Sequence, residues 1–164
     1  MAKRGQDVTL LEKDHIGRHA SGVNAGGVRR LGRDPVEIPL SLASMDIWQS
    51  LQGHIGDHAD AFHPCFYLKV ALDEDGQALG VDRINALLKA GFKHEIWLED
   101  WEVKRRLPHL SCPTYGGILV EGDGWALPWR IVQGFASAAV KHGSRLVEGC
   151  RVVGIERGRD GWQL

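Results

Sequence analysis

Net charge is almost absent from this sequence: 20 Lys and Arg stand against 21 Asp and Glu, a formal −1 over 164 residues. That balance excludes a global electrostatic footprint for nucleic acid or an anionic membrane surface, so no nucleic-acid partner is expected. Long apolar runs are missing too. Stretches such as Ile118-Leu119-Val120 fall far short of the roughly 20 residues that a membrane span needs. Behind Met1-Ala2-Lys3-Arg4-Gly5 no apolar signal-peptide core follows, and a cytoplasmic protein is expected. Cysteine is scarce: Cys65, Cys112 and Cys150 are odd in number and include no C-x-x-C pair, which argues against a disulfide framework or a thiolate zinc site. Free, largely buried thiols are expected.

Glycine is what the chain has in excess, 21 in all, clustered rather than spread through a low-complexity tract. The first dozen residues resemble the second half of a βαβ unit. Ala2-Lys3-Arg4 before Gly5 reads as a last helical turn with cations and a Gly cap. Val8-Thr9-Leu10-Leu11 then reads as a parallel strand buried on both faces, with Glu12 at its carboxyl end. From Ile16 to Val28 small residues dominate, and Gly17, Gly22, Gly26 and Gly27 would let backbone approach a ligand closely.

Further along, Asp34-Pro35-Val36-Glu37 signals a helix start, and Leu40, Ala43, Ile47, Trp48, Leu51 and Ile55 follow at helical spacing as one apolar face. Phe66 to Leu72 reads as a strand, Asp73 to Gly76 as a turn and Val81 to Ala90 as a helix. Ile96 to Leu98 is a short strand, and Asp100 caps a helix that stops before Pro108. Gly117 to Val120 is a strand, Asp123-Gly124 a turn, and Pro128 opens a helix with Ile131, Val132, Phe135, Ala138 and Ala139 on its apolar face, ended by Gly143. Leu146-Val147 is a short buried strand. Arg151 to Glu156 alternates towards a hairpin at Gly158 to Gly161, and Trp162-Gln163-Leu164 begins a returning strand. Both ends of the chain fall within secondary structure, so a fragment is expected, with the first strand of the βαβ unit upstream of Met1.

A strand ending in an acid after a helix is what a dinucleotide fold uses to bind a ribose hydroxyl. The segments Leu11-Glu12-Lys13, Ile16-Gly17, Ala20-Ser21-Gly22 and Asn24-Ala25-Gly26-Gly27-Val28 together resemble the FAD-binding segment of the D-amino-acid oxidase superfamily. The N-A-G-G-V ending is most similar to the branch of glycine oxidase and the sarcosine oxidase flavin subunit. A second stretch, Asp123-Gly124, Pro128, Arg130, Gly143 and Gly149 through Glu156, resembles the superfamily's D-G-x-x-x-P-x-R and V-x-G-I stretch, in the same order. The superfamily's G-x-G-x-x-G turn is absent from these residues.

The resemblance implies an α/β fold: a Rossmann-like FAD-binding domain, about 1–60 and 115–164, with part of an antiparallel substrate-domain insertion, about 61–114, truncated at both ends. It implies that Glu12 holds the adenosine ribose with Lys13 beside it. Ala20, Ser21, Asn24, Ala25, Gly26 and Gly27 would run past the pyrophosphate towards the isoalloxazine, and Val152 would meet adenine through its backbone. Small residues free backbone N–H groups for flavin oxygens, and Ser and Asn add polar partners. Some relatives attach FAD through a His at the position of Asn24, so noncovalent FAD is implied here. The implied activity is that of an intact parent, oxidation of the C–N bond of an amino acid or N-methylated amine by hydride transfer to the flavin; the fragment alone is expected to be inactive. Alternatives are the flavin subunit of a multi-subunit amine or opine dehydrogenase, with electron-transfer or oxidase partner subunits, and a non-functional gene fragment. No catalytic residue is assignable.

Other features carry less. His54, His58 and His63 lack the acidic partner of H-E-x-x-H, and Gly56 and Pro64 interrupt them, so no metal site is expected. Asp73-x-Asp75-Gly76 lacks the later ligands of a calcium loop. Lys104-Arg105-Arg106 reads as a solvated helix face. The six Trp are scattered among apolar positions without a basic groove and are expected in the core.

Overall fold

In chain order the strands are β1 Thr9–Leu11, β2 Gly27–Val28, β3 Phe62–Val70, β4 Ile96–Leu98, β5 Gly117–Ala126, β6 Arg145–Val147, β7 Glu156–Arg157 and β8 Trp162–Gln163. The helices are α1 Ile38–Gln49, α2 Gln52–Ile55, α3 Glu74–Lys89, α4 Asp100–Arg106 and α5 Pro128–Lys141. The computed structural model describes residues 1–159 and 161–164. They form two units, one of Met1–Gly26, Ser50–Phe62 and Ala126–Leu164, the other of Gly27–Gln49 and His63–Trp125.

In the first unit, Ala2–Arg4 makes one 3-10 turn that Gly5 ends in the left-handed region (φ 78°), as the Lys-Arg-Gly signature predicts. β1 lies parallel to β6, with Leu10 opposite Leu146. Burial of β1 on both faces does not hold, for Leu10 is 48% exposed. Among the described residues β1 pairs with β6 alone, and Leu10 with Val8, Phe135 and Ala139 lines an open apolar cleft of about 360 Å³. Phe135, expected to face the core, lies there too. The core of this unit includes Ile16, Leu51, Ile55, Ala61, Ala126 and Ile131. α5 reaches it through buried Gly134, where an added Cβ would stand 2.7 Å from the His58 Cβ. Residues 151–155 pair with no strand among the described residues; only β7 and β8 form the antiparallel ladder. Asp160, in the expected turn, lies outside the described residues.

The second unit is built on β5, which bonds to β2, β3 and β4. Its side chains alternate between two packed layers, as strand geometry requires. Ile118 and Val120 pack with Leu31, Ile84, Tyr67 and Trp97, whereas Leu119 packs with Leu98 and Val103. α3 therefore contributes Ile84 to one layer and α4 contributes Val103 to the other.

Several local expectations change. Asp73 to Gly76 is no free turn but the start of α3: the Asp73 side chain accepts the Gly76 N–H at 2.7 Å. That is ordinary N-capping. α4 begins one residue earlier than an Asp100 cap implies, because Glu102 accepts the Glu99 N–H at 2.9 Å. Asp123-Gly124 lies inside β5, since the Asp123 carboxylate is buried and bonded where a turn would leave it in water. The expected α1 stripe is mostly not core: Leu40 and Ile47 are exposed, while Ile38 and Met45 are buried. The helical run to Ile55 also breaks, into α1 and α2. Trp101, Trp125, Trp129 and Trp162 are exposed rather than core, and Cys65 and Cys112 are exposed, with Cys150 half-buried.

Candidate functional site

Beyond β1 the parallel pairing continues for one residue, with the Glu12 N–H donating to the Val147 carbonyl at 2.9 Å. The returning chain is then tied beside it: the Cys150 N–H donates to the Glu12 carbonyl and the Gly149 N–H to the Asp14 carbonyl, both at 2.8 Å. Two strand ends thus create a cleft of about 380 Å³ lined by Leu11, Glu12, Lys13, His19, Cys150, Arg151 and Val152. This is the carboxyl end of a parallel pair, where open α/β sheets place their ligands.

Glu12 is half-buried, and its Oε1 accepts the Asp14 N–H at 2.9 Å. Asp14 in turn meets the His19 Nε2 at 2.5 Å, and this hydrogen bond holds the Asp14 carboxyl below its ordinary range. One ligand atom from each of Glu12, Asp14 and His19 lies within 4.8 Å of the others.

The loop after β1 is anchored at its start, where the buried Ile16 donates its N–H to Glu148 Oε1 at 2.7 Å. Ala20, Ser21, Asn24 and Ala25 are exposed on it. They do not line the cleft that holds Glu12, Lys13 and Val152. The Asn24 amide donates to the Ala20 and Ser21 carbonyls at 3.0 and 3.1 Å, and its Oδ1 accepts the Gly26 N–H at 2.8 Å. Asn24 therefore shapes the loop. Two glycines have an internal reason as well: an added Cβ at Gly22 would lie 2.0 Å from the Gly17 carbonyl oxygen, and at Gly26 (φ 69°) 2.1 Å from that of Ala126. Gly27 opens β2 in the other unit, opposite Trp125.

Sequence reasoning missed His19, Cys150 and Arg151 as cleft residues, although the last two flank Val152 within the segment that carries the resemblance. It also missed two ion pairs of the second unit, because their partners are far apart in sequence. Asp123, fully buried, accepts Arg30 Nε at 2.7 Å and the Arg30 and Leu31 N–H groups at 2.9 and 3.2 Å. Glu95, also buried, accepts Arg83 Nε at 2.6 Å and the Gly32 N–H at 2.8 Å. Burial pushes the Glu95 carboxyl up, but the Arg83 and Gly32 hydrogen bonds outweigh it and hold the group low. Beside it, burial lowers the His94 imidazole, whose two ring nitrogens have no hydrogen-bond partner, with Nε2 3.9 Å from Glu95 Oε1.

The donor set of the cleft suits an adenosine diphosphate group. A carboxylate stands ready for a ribose diol, Lys13 and Arg151 supply positive charge, and the backbone around Val152 is committed to no strand.

Residues 1–164 match the model of the family described as FAD dependent oxidoreductase (DAO). The chain belongs to this family, and FAD is its cofactor. The "FAD-dependent oxidoreductase domain-containing protein 1" of Xenopus laevis is 29% identical over 147 residues, covering 83% of this chain and 28% of that protein. The "Anaerobic glycerol-3-phosphate dehydrogenase subunit A1" of Haloferax volcanii is 28% identical, over 95% of this chain and 28% of its own length. The chain thus spans under a third of these relatives. Among solved structures, L-amino acid deaminase from Proteus myxofaciens superposes with a TM-score of 0.85 at 23% identity, over 96% of this chain and 36% of that one. Glycine oxidase from Geobacillus kaustophilus gives 0.82 at 23%, over 98% and 45%. The fold is therefore the mixed α/β fold of these oxidoreductases. No helix among the described residues is long and apolar enough to cross a membrane.

Proposed function

We propose that the protein oxidises the C–N bond of an amino acid or N-methylated amine, with FAD held noncovalently and its adenosine end in the Glu12 cleft. The observation that carries this reading is the convergence of Glu12, Lys13 and Val152 on one cleft at the ends of β1 and β6, in a chain of the FAD dependent oxidoreductase family. Glu12 accepts hydrogen bonds from the ribose hydroxyls. Asp14 supports it through a backbone N–H and leaves the second carboxylate oxygen for the ligand. Lys13 and Arg151 offset phosphate charge, and Ala20, Ser21, Asn24, Ala25, Gly26 and Gly27 carry the cofactor's path onward. Asn24 offers no imidazole for a covalent link. Bound flavin supplies the hydride acceptor, while protein groups supply orientation and electrostatics. The amine substrate class draws support from the similar structures, an amino acid deaminase and a glycine oxidase.

The Haloferax relative, named as a subunit, favours a second reading in which electrons pass to a partner protein. An FAD titration followed by amide NMR tests the cofactor assignment. Shifts concentrated at Glu12, Lys13, Cys150, Arg151 and Val152 support it, and saturable shifts elsewhere alone refute it. With FAD bound, anaerobic loss of the oxidised flavin's visible absorbance on adding amino acids, but not glycerol 3-phosphate, supports the substrate class. The reverse pattern refutes it.

A further inference from the structure

We propose that His19 is a further phosphate-binding residue of the Glu12 cleft, its imidazolium held by Asp14 and presented to the diphosphate of FAD. The inference rests on the cofactor reading above. It adds a group to which the family resemblance gives no role, and it makes cofactor uptake depend on a proton.

His19 lines the cleft together with Glu12, Lys13, Cys150, Arg151 and Val152. It stands on the loop after β1 and is fixed twice. Its carbonyl accepts the Gly22 and Val23 N–H groups at 3.0 and 3.1 Å, which closes the loop locally, and its Nε2 meets Asp14 Oδ2 at 2.5 Å. A carboxylate on one ring nitrogen sets the orientation of the imidazole and leaves the other nitrogen available. Nδ1 is therefore the atom left for a ligand.

Charge decides which part of the cofactor that ligand atom belongs to. Glu12 and Asp14 bring two carboxylates close to the imidazole, one polar atom of each lying within 4.8 Å of one of His19. Lys13 and Arg18 are the cations whose field reaches Asp14, and Arg151 lines the cleft beside Cys150. Opposite a neutral imidazole, an approaching diphosphate meets an uncompensated Asp14 next to the Glu12 carboxylate that the ribose requires. Protonation turns Asp14 and His19 into an ion pair, removes that repulsion and makes Nδ1–H a donor to a phosphate oxygen. The His19 hydrogen bond holds the Asp14 carboxyl below its ordinary range, so the carboxylate stays ionised wherever an imidazole titrates. Both side chains are about half exposed, at 55% and 46%, which keeps the effect modest.

The test uses the 164-residue chain and NMR of its backbone amides and of the His19 ring, with ADP-ribose and adenosine as probes. Both phosphates of ADP-ribose are ester-linked, so its own charge stays constant across the imidazole range. It is expected to give saturable shifts at Glu12, Lys13 and Val152, and to bind about threefold to tenfold more weakly as pH rises from about 5.5 to about 8.5. Adenosine, which has no phosphate, should bind equally at both ends of that range. His19→Gln should abolish the pH dependence for ADP-ribose. By linkage, saturating ADP-ribose should also raise the titration midpoint of the His19 ring in the parent chain, a measurement that needs no variant. The same pH profile in parent and His19→Gln, an unmoved His19 midpoint, or a pH dependence shared by adenosine overturns this inference and leaves the Glu12 reading standing. No saturable shift at Glu12, Lys13 or Val152 with either probe overturns both.

Discussion

Asp123→Ala is the perturbation whose cost follows most directly from the structure. The carboxylate is fully buried and accepts three hydrogen bonds, from Arg30 Nε and from the Arg30 and Leu31 N–H groups. Its loss leaves a guanidinium that is only 12% exposed without its counter-charge. Breaking a buried pair from one side typically costs about 3–5 kcal/mol, a large part of a stability of about 5–15. For a chain of this size that lowers Tm by roughly 10 °C or more. Asp123→Asn keeps the shape but not the charge and should fall between. Arg30→Met/Asp123→Leu removes both charges and should recover much of the loss. It should stay below the parent, because two buried N–H groups remain without an acceptor, each worth about 1–3 kcal/mol. Urea and thermal unfolding followed by circular dichroism give all four values. A loss below about 1 kcal/mol in Asp123→Ala would refute the view that this buried pair stabilises the second unit.

Three further outcomes are expected. Glu12→Ala should weaken FAD binding roughly tenfold to a hundredfold, the worth of a charge-assisted contact, with Glu12→Asp intermediate; flavin fluorescence titration measures it. Gly26→Ala should destabilise by about 2 kcal/mol or more, from the 2.1 Å approach to Ala126 and the positive φ, read as a lowered urea midpoint. The His94 imidazole is lowered by burial, so the neutral form belongs to the folded state. Stability should therefore decline as pH falls below the imidazole's usual 6.5. The depressed Glu95 carboxyl adds a second decline, as pH falls below its ordinary 4.5. His94→Leu should flatten the first decline and leave the second, as urea midpoints across pH will show.

Local signals were legible in the sequence where the chain acts on its own neighbours. Lys3-Arg4-Gly5 marks a terminated turn, and Pro128 and Gly143 bracket α5, because caps and φ restrictions operate within a few residues. The order of Glu12, the small-residue loop and Val152 likewise carried the family resemblance. What the sequence could not decide was which apolar stripe becomes core and which acids go inside. Leu40 reads as a core residue and lines a cleft, since α1 turns Ile38 and Met45 inward. Asp123-Gly124 reads as a turn and lies within a strand, because Arg30, distant in sequence, arrives to satisfy the carboxylate. Glycines 22 and 26 read as room for a ligand, and the fold has its own use for them besides, letting its backbone segments meet. In each case the sequence determined a local preference, and tertiary structure chose among its uses, because burial and pairing depend on residues that only folding brings together.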